Sequence, residues 1–107
     1  MSKRLAMLEQ MTAKGTADSF AWYALAMEYS GADRIDDALK TFTTLRGADP
    51  AYVAQYLMCG TMLSKAGRAA EAQEWLREGI SVARGKGDAH ALSELESALA
   101  EADRPPS

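Results

Sequence analysis

Apolar residues recur along this chain at intervals of three and four, the period of a helix with one buried face. Leu5, Leu8 and Met11 form one stripe, Trp22, Leu25, Ala26 and Tyr29 a second, and Leu92, Leu95 and Leu99 a late one. Gly15, Gly31, Gly47, Gly67, Gly85 and Gly87 each follow such a segment and read as helix stops, because glycine enters the left-handed conformation without a Cβ clash. Starts lie just beyond them. Asp18, Asp33 and Asp88 can cap free N–H groups, and Asp49-Pro50 reads as a cap followed by proline at the first helical position. The pattern predicts six helices, at about 2–14, 18–30, 34–46, 50–65, 68–84 and 88–102, with a disordered tail over 103–107 that contains Pro105-Pro106.

Shifting the chain by 34 residues brings like onto like. Ser30, Ala32, Arg34 and Ala38 fall on Ser64, Ala66, Arg68 and Ala72; Trp22 falls on Tyr56, Ala26 on Gly60, Tyr29 on Leu63, Phe42 on Leu76 and Asp37 on Glu71. A single offset serves all of these pairs, so the chain holds an internal repeat. The positions also make physical sense. Ala26, Ala38, Gly60 and Ala72 are small where two antiparallel helices approach, and Trp22, Tyr29 and Phe42 are large where the pair needs filling. Gly79 stands mid-helix, where glycine costs ~1 kcal/mol against alanine. Its repeat partner is Leu45, which points to a close helix contact at 79.

The residues Trp22, Leu25, Ala26, Tyr29, Ala38, Phe42 and Pro50 resemble the tetratricopeptide repeat pattern over 19–52, with Ala26 in place of its glycine. Tyr56, Cys59, Gly60, Leu63, Ala72, Leu76 and Arg84 resemble it more weakly over 53–86, where the proline is missing, so its second helix is free to run on and the turn at Gly85–Gly87 to differ. The resemblance implies an all-α fold, an α-solenoid of about six antiparallel helices wound as a right-handed superhelix, in one domain over 1–107. The first helix then serves as a degenerate partner to the first repeat. The helix at 88–102 serves as a cap, with Ala91, Leu92, Leu95, Ala98, Leu99 and Ala102 on one face. With Leu92, Leu95 and Leu99 at the large positions, Glu96 falls at the small one, which suits a helix with no following partner.

Composition narrows the function. The 107 residues carry a net charge of −3 with 12 basic residues scattered along the chain, which argues against nucleic acid. Arg34, Arg68 and Arg77 are the residues on which that reading would depend. No run approaches the ~20 apolar residues of a membrane span. A lone Cys59 excludes an intrachain disulfide, and the absence of asparagine excludes N-glycosylation. With the charged start MSKRLAMLEQ showing no leader-like apolar run, these features point to a cytoplasmic protein. The alanine-rich composition points to a bacterial one.

Candidate chemistry is sparse. No phosphate loop, paired CxxC or histidine pair on a helix occurs. Gly85-Lys86-Gly87 opens a GxG with no strand before it, and His90 stands where the last glycine of a dinucleotide motif would be. His90 and Glu94, four apart, read as a surface pair and not a metal site. Cys59 sits at a core repeat position with nothing basic adjacent to activate it. Met7, Met11 and Met62 read as core filler, whereas Met27 and Met58 fit an adaptable binding surface. The sequence therefore predicts no enzyme, no cofactor and no metal.

The resemblance implies that the first helix of each pair lines a concave groove for a partner segment. The facing positions are Phe20, Tyr23, Ala24, Met27 and Ser30, then Ala54, Leu57, Met58, Thr61, Ser64 and Lys65, with His90 and Ser93 as an extension. Family members that grip a carboxylate use Lys and Asn on this face; here Tyr23, Met27, Leu57 and Thr61 stand there and Lys65 alone is basic. The expected function is non-enzymatic binding of a protein or peptide, with Phe20, Tyr23, Met27, Leu57, Met58, Thr61 and Lys65 as the binding residues. The alternative is a homo-oligomer, such as a homodimer, that uses the same face or an unsatisfied end of the stack.

Overall fold

A computed structural model describes residues 3–15 and 18–104. Among them all regular structure is helical: α1 (Lys3–Ala13), α2 (Ser19–Gly31), α3 (Ile35–Ala48), α4 (Ala54–Lys65), α5 (Ala69–Lys86) and α6 (Ala89–Ala102). The chain divides into two compact units, Met1–Pro50 and Ala51–Ser107, so that α1–α3 belong to the first and α4–α6 to the second.

The helix ends correct several expectations. Asp18 and Asp88 do cap, accepting from the N–H of Ala21 at 2.9 Å and of Ala91 at 3.1 Å. Asp33 does not: it takes the left-handed conformation at φ 60°, and Arg34 occupies the cap position with no side-chain cap bond. Gly67, its repeat partner, has the same conformation at φ 79°. Both turns close with one long-reach bond, Arg34 N–H to the Tyr29 carbonyl and Arg68 N–H to the Leu63 carbonyl, each at 2.9 Å. Gly47 and Gly85 are each the last but one residue of α3 and α5; α5 runs on to Lys86, as the missing proline of the second repeat allows, and Gly87 ends it at φ 68°.

Pro50 is not the first residue of α4, which starts only at Ala54. Asp49 instead ends α3, where its carboxylate accepts from the Ser19 hydroxyl at 2.6 Å. Asp103 and Arg104 turn off the end of α6, the Arg104 N–H donating to the Glu101 carbonyl at 3.2 Å. Residue 2 of the expected first helix, and 105–107 of the expected tail, lie outside the described residues.

In the first unit α1 packs on α2 through Leu5 and Leu8, which join Ala24 and Leu25, with Trp22 and Tyr29 laid against the cluster. The third member of the α1 stripe differs from expectation. Met11 is 42% exposed and Thr12 is buried instead, its hydroxyl donating back to the Leu8 carbonyl at 3.0 Å. Two polar contacts tie the same helices: Arg4 to Glu28 at 2.8 Å, and the Tyr29 hydroxyl donating to Glu9 at 2.6 Å. The bond to Glu9, then burial, then the Glu9 charge itself push the Tyr29 pKa up to about 12. Helix α3 packs on α2, with Ala26, Ala38, Phe42 and Leu45 all fully buried. Burying an apolar side chain of this size contributes ~1.5–3 kcal/mol.

Within the second unit the helices leave no room for a side chain at two glycines. A Cβ built on Gly60 would come within 2.5 Å of Leu76 Cδ2. One on Gly79 would run into Tyr56 Cβ and lie 2.9 Å from Leu95 Cδ2, which bears out the close contact expected at 79. Tyr56 is fully buried, its ring tilted on Trp75 with centroids 6.0 Å apart. Helix α6 packs on both α4 and α5 and seats Leu95 in the same core.

Candidate functional site

The first-helix face of the first unit begins where the Asp18 cap starts α2. Phe20, in the first turn, is 63% exposed, the most exposed large apolar side chain among the described residues. Met27, seven residues on, falls on the same stripe and is half-buried. Tyr23 lies between them in sequence but turns toward α3, meeting the Phe42 ring edge-on at 6.5 Å between centroids. Ala24 belongs to the buried cluster beneath α1. Helix α1 therefore covers the Ala24–Leu25 side of α2 and leaves Phe20 open to solvent.

In the second unit Leu57, Met58 and Thr61 are half-buried and Lys65 is exposed in the last turn of α4. Ala54 holds the position that Phe20 holds in the first unit, so this face has no comparable aromatic prominence. His90 and Ser93 are exposed on α6, and His90 Nε2 lies 3.2 Å from Glu94, the surface pair expected from their spacing.

No group of three or more potential metal ligands occurs among the described residues. Cys59 is fully buried in α4. The basic residues on which nucleic-acid binding would depend lie beside carboxylates, Arg34 2.9 Å from Asp37, Arg68 2.8 Å from Glu71 and Arg77 3.9 Å from Asp103. No described helix is long and apolar enough to cross a membrane.

Sequence reasoning missed the buried polar residues Thr12, Thr41 and Gln55, of which Gln55, in α4, is fully enclosed. The repeat offset held the signal: Gln55 falls on Ala21, and Ala21 is buried in α2.

No protein-family model and no curated protein matches the chain. Solved structures do. The chain is similar to a tetratricopeptide repeat domain protein from Salinibacter ruber, whose crystal structure superposes with a TM-score of 0.72 at 37% identity, covering 80% of this chain and 97% of that one. The solution structure of that domain gives a TM-score of 0.74, again at 37% identity, over 80% of this chain and 87% of the other. A protein from Bordetella parapertussis, solved in solution, covers 95% of this chain and 89% of its own length at a TM-score of 0.80 and 26% identity. Among the small residues Ala26, Ala38 and Ala72 are fully buried and Gly60 is buried, as packed helix pairs of this repeat require. With that packing and the identity to the Salinibacter domain over nearly its whole length, the chain belongs to the tetratricopeptide repeat family.

Proposed function

We propose that this protein is a non-enzymatic interaction module that receives an apolar segment of a partner protein on its first-helix faces. The observation that carries the reading is Phe20: a phenylalanine 63% exposed, on the open side of α2, with Met27 on the same stripe. Leaving such a side chain in water forgoes ~1.5–3 kcal/mol of burial, which a bound segment supplies. On the second unit Leu57, Met58 and Thr61 offer a flatter apolar surface edged by Lys65. Tyr23 supports Phe42 from within the helix pair and shapes the face more than it meets the partner. Residence in the cytoplasm belongs to this proposal, and a lone buried thiol is compatible with it.

A displayed random-peptide library panned on the full chain tests this. Selected peptides are expected to be rich in large apolar residues. Phe20→Lys is expected to weaken them about tenfold or more while the helical circular dichroism is retained. Selected peptides that bind the wild type and Phe20→Lys equally would remove Phe20 from the site. The same exposed ring also supports the second reading, a homo-oligomer built on this face; there Phe20→Lys would lower the mass in solution.

A further inference from the structure

The second unit carries another concave feature, an open cleft of about 440 Å³ between α5 and α6. Its α5 wall presents Arg77, Ile80 and Arg84, and its α6 wall presents Glu96, Leu99 and Asp103. Spacings of three and four put each set on one helix face, as a two-turn stripe about 10 Å long. The walls run antiparallel: Arg77 lies 3.9 Å from Asp103, so Arg84 and Glu96 share the opposite end. Charge is thereby sorted by wall, basic on α5 and acidic on α6, with Ile80 and Leu99 set among the charges. The Arg77–Asp103 pair is long for a charge-assisted bond. Among the described residues neither Arg84 nor Glu96 has an ion-pair partner, and both are exposed.

Continuing the helical stack from this end fits poorly. Relative to Leu92, Leu95 and Leu99, Glu96 takes the place at which Ala26 and Gly60 admit a neighbouring helix, and an unpaired carboxylate buried there would lose its hydration. A second copy of the same face fits well.

We propose that the α5–α6 face binds its own counterpart on another molecule, about a two-fold axis that lies in the interface parallel to the two helices. That axis sets α5 of each copy over α6 of the other. Arg84 then faces Glu96, Arg77 faces Asp103 and Ile80 meets Leu99, each twice. The other two-fold axis in the interface, across the helices, would set arginine on arginine and carboxylate on carboxylate, so the charge pattern selects the first. Such a contact is self-complementary and closes at two copies. Its residues are other than those of the first-helix faces.

Sedimentation velocity on the full chain, from about 10 µM to about 1 mM at low salt, tests the proposal. The mass is expected to rise from 11.5 kDa toward twice that value, and the association to weaken as salt screens exposed pairs. Arg84→Glu and Glu96→Arg each place like charges on both sides of the axis, and each is expected to weaken association about tenfold. An equimolar mixture of the two variants regains it, because their opposite charges now meet, and so does the double variant R84E/E96R. Misfolding cannot produce that rescue. A mass fixed at 11.5 kDa throughout, indifference to both charge reversals, or loss without rescue on mixing would each overturn the proposal. Phe20→Lys is expected to leave the association unchanged; a loss there would assign self-contact to the first-helix face instead, and would also overturn it.

Discussion

Helices α2 and α3 share one 34-residue register with α4 and α5, yet the two pairs reach different packings. In the first pair Ala26, Ala38, Phe42 and Leu45 fill the contact, and Trp22 stays half-buried. In the second, Gly60 and Gly79 stand where Ala26 and Leu45 stand, Leu76 replaces Phe42, and Tyr56 sinks to full burial. Removing the side chain at 79 opens the space that Tyr56 and Leu95 occupy. The first pair thus fills the site with Leu45 itself, whereas the second fills it with neighbours, Tyr56 and Leu95. The turns make the complementary point. Asp33 and Gly67 share a left-handed conformation, the same long-reach backbone bond and a following Arg–carboxylate pair, so the turn geometry survives a change of residue type.

The largest expected effect comes from removing filler in the first pair. Leu45→Ala leaves a cavity at a fully buried site and is expected to lower the unfolding free energy by about 3 kcal/mol, read by urea denaturation. In the second pair the matching experiment adds volume. Gly79→Ala drives a methyl group into Tyr56 Cβ, an atom fixed to its backbone, so the cost of overpacking exceeds the ~1 kcal/mol of helix propensity gained. A net loss of about 2 kcal/mol, seen as a Tm lower by about 10 °C, is expected; an unchanged Tm would mean that the pair is looser than its geometry.

The turns give a smaller effect of opposite sign. Asp33→Gly relieves a left-handed aspartate where the second repeat already uses glycine, and is expected to raise stability by about 0.5–1 kcal/mol. Gly67→Asp should lose a similar amount.

A pH-dependent effect concerns α1, which belongs to the first unit. The Tyr29 pKa is raised to about 12 from 10.0 by its bond to Glu9, by burial and by the Glu9 charge. The folded state thus favours the protonated hydroxyl. That contribution is whole below pH 10 and is lost as pH rises toward 12. Melting temperature followed through this window should fall, and should fall less in Tyr29→Phe, which has no such proton to lose.

Helix identity, the pairing of helices and the small and large positions were legible because each is a linear property of the chain, visible as a 3.6-residue period and a 34-residue offset. Boundaries were less so. Gly47 and Gly85 look like stops, yet each is still helical and its helix ends one residue later, at Ala48 and Lys86. Pro50 looked like a first helical residue because its dipeptide fits that role, yet the turn from 50 to 53 intervenes before α4. Asp33 could have been read correctly, since its repeat partner is Gly67 and a shared offset implies a shared backbone.

For the candidate site, the sequence placed Phe20 and Met27 on one stripe, because helical spacing alone does that. It could not turn Tyr23 toward Phe42, exchange Met11 for Thr12 in the contact beneath α1, or gather Arg84 and Glu96 at one end of a cleft. Each of those outcomes depends on which residues distant in sequence compete for the same volume or share the same field. The sequence by itself determined the helices, their register and the family; the tertiary structure alone decided which apolar side chains stayed in water and how the charges were sorted, because burial and Coulomb energy are set by neighbours in space.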